Sequence, residues 1–196
     1  MDDAVVLDPG HCQVETWAAR PPDVAGTALH VGPGCRVGPV ELGVNADRLP
    51  LEGGDTAGLA GPQIKWVVDP IAHRLSIGMA WILAADLRHG GRWGQTGYAV
   101  ATWWPSETLQ VHGNAGADWA PGTGDRTRRL GLGIEWAAND TVSVLAERLV
   151  ATSQWRSRVG TRINLTDLLS LDLSVSRADN HGVRGFAIGL NRDLPR

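Results

Sequence analysis

From about Glu41 to the end of this 196-residue chain, apolar residues recur at every second position, segment after segment, and not at the 3.6-residue spacing of a helix. Leu109, Val111, Gly113, Ala115, Ala117 and Trp119 alternate with Gln110, His112, Asn114, Gly116 and Asp118, which puts an apolar and a polar row on opposite faces of one strand. The same division recurs at Leu130/Leu132/Ile134/Trp136 against Arg129/Gly131/Gly133/Glu135. It recurs again at Val159/Thr161/Ile163/Leu165 against Arg158/Gly160/Arg162/Asn164, and at Leu169/Leu171/Leu173/Val175 against Ser170/Asp172/Ser174/Ser176. The chain reads as all-β.

Twelve strands are predicted, at 11–20, 27–36, 39–48, 62–69, 73–87, 94–104, 109–119, 127–138, 141–151, 154–165, 169–178 and 183–193. The turns test this division, because a hairpin's register decides whether apolar rows meet apolar rows. Around Thr152-Ser153, Val150 meets Trp155, Ala146 meets Val159 and Glu147 meets Arg158. Around Thr166-Asp167-Leu168, Leu165 meets Leu169 and Arg162 meets Asp172; around Asn180-His181, Val175 meets Phe186 and Leu173 meets Ile188. With 105–108 as a loop, Trp104 faces Leu109, Thr102 faces Val111 and Tyr98 faces Ala115; with 69–72 as a loop, Trp66 faces Leu75 and Ile64 faces Ile77. The first three strands are the weakest, because Pro33 and Pro39 each lack a ladder donor, so a ten-strand count stays open.

A soluble sandwich or small barrel would also alternate, with its apolar row inside. The polar row argues against it. Gly131, Gly133, Gly160, Ser174, Gly185 and Gly189 mingle there with Arg158, Arg162, Glu147 and Asp172, whereas water-facing strands carry few glycines. A lumen crossed by charged pairs suits that mixture. Trp66, Trp104 and Trp136 fall near one set of strand ends and Trp93, Trp119 and Trp155 near the other, as aromatic girdles at two interfaces require. Arg148 points outward in this register and fits only if it snorkels from a strand end.

Helical membrane spans are excluded, because the richest apolar run, Leu75 to Leu87, falls short of the ~20 residues a span needs and includes Ser76 and Gly78. The net charge is −3, Lys65 is the single lysine and the basic residues form no run, which argues against nucleic acid as a partner. The start, Met1-Asp2-Asp3-Ala4, has no positive flank and no apolar run, so a secretory signal is absent or already removed and Met1 reads as an addition to a mature chain. Cys12 and Cys35 have no histidine at metal spacing, so no metal is expected. They lie equally far from a hairpin centre between Asp23 and Val24, which makes a disulfide geometrically reasonable; two free thiols in a reducing compartment are the alternative.

Through these strands and the segment Gly185-Phe186-Ala187-Ile188-Gly189-Leu190, the chain resembles bacterial outer-membrane β-barrels as a class. That segment is similar to their carboxy-terminal assembly signal, a Gly followed by spaced apolar residues, although this chain ends Asp193-Leu194-Pro195-Arg196 without the usual aromatic. The resemblance implies an all-β fold: a closed antiparallel up-and-down transmembrane β-barrel of about twelve strands over residues 11–196, preceded by an N-terminal periplasmic extension at 1–10. It implies a place in the bacterial outer membrane, with the lipid bilayer and lipopolysaccharide as surroundings and insertion by the outer-membrane assembly machinery. The tight connections, near 36–39, 69–72, 105–108, 139–140 and 166–168, would be periplasmic turns. The mostly longer ones, at 21–26, 49–61, 88–93 and 121–126, would be outer loops.

Three functions fit this size, since about eight strands are filled by side chains and about sixteen leave a pore. The first is a narrow channel or porin for small polar or anionic solutes. The second is a plugged structural barrel that binds a partner protein, and the third a surface lipid-modifying enzyme. The lumen and its selectivity are expected to depend on Arg156, Arg158, Arg162, Glu135, Glu147, Asp172 and His112. Because Arg158 and Arg162 face carboxylates and Arg156 faces Leu149, Arg156 is expected to be the free cation, favouring anions. Catalytic candidates are poor: His112 is followed two residues on by Asn114 and not a hydroxyl, His73 and Ser76 fall on opposite faces, and Asp179-Asn180-His181 is explained by turn chemistry. No catalytic residue or cofactor is expected.

Overall fold

A computed structural model describes residues 4–22, 24–72, 74–90, 92–120, 124–151, 154–179 and 181–195. Twelve strands follow one another: β1 (Cys12–Arg20), β2 (Ala28–Val37), β3 (Val40–Pro50), β4 (Thr56–Ile71), β5 (Leu75–Asp86), β6 (Arg92–Trp103), β7 (Leu109–Ala120), β8 (Asp125–Ala137), β9 (Val142–Ala151), β10 (Gln154–Thr166), β11 (Leu169–Ala178) and β12 (His181–Leu194). Each pairs antiparallel with its sequence neighbour and β1 pairs with β12, so the sheet closes and every strand has two partners.

The ten-strand alternative falls, because both awkward prolines have a place. Pro33 pairs with Val14 of β1, and the β2–β3 ladder keeps one register across Gly32 and Pro33, from Val31/Ala46 to Gly34/Gly43. Pro39 shares the tight β2–β3 turn with Gly38, whose φ of +61° is a left-handed value that a side chain would penalise. Cys12 lies directly opposite Cys35 and the two form a disulfide.

The burial pattern is that of a barrel turned inside out relative to a soluble one. Leu132 is 60 % exposed and Phe186 57 %, and Ile134, Trp136, Val159, Val175 and Ile188 are exposed beside them on the outer face. Among the described residues, the buried apolar side chains are alanines, Pro22 and Val100. Fully burying a Leu or Phe contributes about 1.5–3 kcal/mol, and an outer wall this apolar far exceeds the patches that soluble proteins expose. Lipid is the solvent that matches it.

Two hairpin registers differ from expectation. Thr102 pairs with His112 and Tyr98 with Gly116, one residue off the predicted register, so Trp103 points outward in place of Trp104 while Tyr98 and Thr102 face the lumen. Trp66 pairs with Met79 and Ile64 with Trp81, a slip of four that keeps every face, extends β4 to Ile71 through the predicted turn at 69–72 and starts β5 later, at Leu75. Leu165 falls in an irregularity of the β10–β11 ladder, where Thr166 takes Leu169 instead. The other tested pairs, Val150/Trp155, Ala146/Val159, Val175/Phe186 and Leu173/Ile188, stand as predicted. Most of 49–61 is strand and not loop. Arg148 does point outward and is reconciled as expected: its guanidinium pairs with Asp179 at 2.6 Å and lies 5.3 Å from the Trp155 ring centroid, near the β9–β10 tip.

Candidate functional site

The inward rows of β9 to β12 carry the charged side chains that the alternation places in the lumen. Arg158 donates from Nε and Nη2 to the two oxygens of Glu147, both at 2.8 Å, and Arg162 grips Asp172 in the same forked way at 2.8 and 2.9 Å. Asn191 adds a 2.9 Å hydrogen bond to Asp172. On the adjoining β7 and β8, Arg129 lies 3.3 Å from Asp118, which also accepts from Thr96. His30 Nδ1 is 2.7 Å from Asp47, and Asn45 donates to Gln63 at 2.8 Å.

The end of the barrel that holds the short turns is partly covered by the chain's own beginning. Residues 4–10 do not continue away from β1 but fold across the lumen. The Leu7 carbonyl accepts from Arg36 at 2.8 Å, and the Leu7 amide donates to Glu41 at 3.3 Å. Further along, the Ala4 amide donates to Thr102 Oγ1 at 2.8 Å, and that oxygen is 2.9 Å from His112 Nδ1. Thr102 stands on β6, nearly opposite β1 in the ring; eight residues separate Ala4 from Cys12, and a chain that long reaches at most roughly 28 Å. Ala4 and Thr102 are both wholly buried, and Glu41, Lys65, Ser76 and His112 are buried in the neighbouring wall. This strap explains how charged groups in a lumen come to be hidden from water.

The strap narrows the mouth without filling it. Beside it lies a cavity of about 690 Å³ bounded by Val5, Leu7, Arg162, Asn164 and Asn191. A second of about 390 Å³ continues from it past Glu15, Arg162 and Asn191. A third of about 650 Å³ shares Glu15 and Trp17 with the second and runs to Leu49, Ala84 and Arg129 near the long-loop end. Among the described residues, the three cavities share lining side chains from the strap to Arg129.

Of the residues expected there, Glu147, Arg158, Arg162 and Asp172 come together as the two forked pairs. Glu135 faces Gln110 and Leu145 on neighbouring strands, and His112 is covered by the strap. Arg156 does face Leu149, but it is engaged by an interaction of its own, so the expectation that it is the free cation is corrected. Nor is there a net basic lining: Lys65, Arg129, Arg156, Arg158 and Arg162 are met by at least as many carboxylates from Glu15, Glu41, Asp47, Asp118, Glu135, Glu147 and Asp172. Among the catalytic candidates, His73 and Asn180 lie outside the described residues, Asp179 holds Arg148, and Ser76 donates to Asp69. Thr102 and His112 pair a hydroxyl with a base, yet Thr102 has no exposed surface for a substrate to reach.

Sequence reasoning missed Trp17, His30, Thr102 and the strap. Trp17 carried a signal, since it sits in the polar row Gln13, Glu15, Trp17 of β1 where a lumen residue is expected to be polar. At the long-loop end a histidine clasp was missed as well: His89 lies 2.8 Å from Asp86 and 2.9 Å from Asp55, tying the β5–β6 connection to the β3–β4 connection. Hydrogen bonds to Asp86 and then Asp55 hold the His89 imidazole above the usual histidine range. Asp55 lies below the usual carboxylate range because the Thr56 amide and then His89 bond its charged form.

A closed twelve-stranded wall with an apolar exterior, aromatic residues toward both ends and charged side chains in the lumen defines a bacterial outer-membrane β-barrel. The chain belongs to the family described as "Uncharacterised conserved protein UCP029691", whose model matches residues 1–186. Among solved structures the fold is similar to the KdgM porin, with a TM-score of 0.75 at 9% identity over 92% of this chain and 98% of that one. It is also similar to the COG4313 outer membrane channel from Pseudomonas putida F1, with a TM-score of 0.69 at 12% identity over 98% of each chain. For the NanC porin the TM-score is 0.69 at 8% identity, over 93% of this chain and 100% of that one. Comparison with curated proteins gives no match.

Proposed function

We propose that the protein is a narrow outer-membrane channel for small polar solutes, with Arg156, Arg158, Arg162, Glu135, Glu147 and Asp172 lining its path. The observation that carries this reading is the run of cavities that share lining residues from the strap toward the long-loop end, with charged side chains along each. The KdgM porin, which has also been solved in complex with disordered oligogalacturonate, lends support to an elongated polar solute. Because Arg158 and Arg162 are paired with carboxylates, the charge selectivity of such a channel is weak. The short turns and the strap face the periplasm, and the Gly185 to Leu190 segment of β12 is what the assembly machinery engages.

A second reading, a plugged barrel that binds a partner protein, draws on the strap and its anchors at Glu41 and Thr102. Swelling of proteoliposomes in small neutral sugars separates the two. A channel gives uptake with the full chain and faster uptake when residues 4–8 are deleted. Uptake absent from both proteins contradicts the channel.

A further inference from the structure

Strand β1 places an indole in the lumen, beside the charged side chains of β9 to β12. Trp17 stacks on His30 of β2, with ring centroids 5.0 Å apart and planes 10° apart, and Asp47 holds that histidine in place. On its other side the ladder neighbour of Trp17 is Gly189 of β12, which has no side chain to cover the ring. There the 390 Å³ cavity opens, with Gly160 also contributing no side chain and Arg158, Arg162 and Asn191 forming its polar wall. One indole face is thus braced, and Trp17 also lines the junction of the middle and outer cavities, where charged and apolar side chains meet.

We propose that this pocket is a subsite for one neutral pyranose ring of a saccharide passing through the channel. The inference deepens the channel reading and rests on it. An aromatic face flanked by hydrogen-bonding groups suits a sugar, whose ring presents a C–H face and a rim of hydroxyls. The charges decide which sugar. Arg158 and Arg162 pair with Glu147 and Asp172, and the exposed Glu15 makes a third carboxylate against two guanidinium groups among the described residues that line the pocket. An acidic ring meets an excess negative charge, whereas hydroxyls both accept from the guanidinium N–H groups and donate to the carboxylates.

The test uses the full chain and two readouts. Calorimetry on detergent-solubilised protein compares maltotriose with trigalacturonate, and planar-bilayer recording follows current interruptions by the same two sugars. Maltotriose binds and interrupts the current more strongly than trigalacturonate. Trp17→Ala weakens maltotriose binding roughly three- to tenfold, from the loss of one stacked aromatic contact, with the open-channel conductance retained. Glu15→Gln strengthens trigalacturonate and leaves maltotriose unchanged. If Trp17→Ala fails to insert, Gly189→Leu fills the pocket instead; a β-carbon at Gly189 has 3.4 Å or more to its neighbours, and binding falls while the wall is preserved. Calorimetric binding with a silent bilayer contradicts the channel and sustains the subsite. Conduction with no maltotriose binding, binding untouched in Trp17→Ala and Gly189→Leu, or a preference for trigalacturonate overturns the subsite.

Discussion

Two side-chain arrangements make the sharpest claims about single residues. Because His89 titrates above an unfolded histidine, its contribution is fully present below the ordinary histidine pKa and is lost as pH rises through the raised value. Asp55, lowered, contributes above the ordinary aspartate pKa and loses its share as acid protonates it. The loop clasp therefore holds from mildly acidic pH up to the histidine's raised pKa and opens above it. NMR titration of His89 should show that pKa fall in Asp55→Asn, and an unmoved value would break the clasp assignment. At the strap, Thr102→Val strips the Ala4 amide of its acceptor in a fully buried setting, at a cost of about 1–3 kcal/mol. Residues 4–8 should then be cleaved faster by added protease while the barrel stays intact. None of these contacts could be read from the chain: His89, Asp55 and Asp86 are distant or polar loop residues with no period, and the strap is extended backbone that alternates with nothing.

At the scale of strands and hairpins, alternation was legible wherever one row was strongly apolar. β8 to β12 have such rows, and the predicted Glu147/Arg158, Arg162/Asp172 and Leu173/Ile188 pairs stand. β6 was read on the wrong face because its two rows are nearly equal: Gly97, Ala99, Ala101 and Trp103 against Tyr98, Val100, Thr102 and Trp104. The β4–β5 slip has another cause. A shift of four leaves inward and outward rows unchanged, so hydrophobicity is blind to it and only the turn position decides. The β1–β2 hairpin was placed correctly by its cysteines' symmetry. The bridge spans a sequence separation of 23, and a loop of that length implies that its loss costs roughly 3 kcal/mol. Reductant, or Cys12→Ala with Cys35→Ala, should lower the temperature at which the folded band is lost on gels; no change would mean the hairpin is held by its ladder alone.

For the molecule as a whole, the two faces of the sheet divide the work. The outer rows match hydrocarbon, and the inner rows pair charges of β9 to β11 with one another. Closure and compartment were legible because strand period, girdles and hairpin spacing agree. Whether the lumen is a passage was not, since it depends on side chains of different strands meeting across space and on where the first residues run. Single-channel recording in planar bilayers tests this directly. Discrete, small conductance steps with weak ion selectivity are expected from the full chain, with larger steps once residues 4–8 are removed. A silent bilayer from correctly inserted protein in both forms would contradict the account.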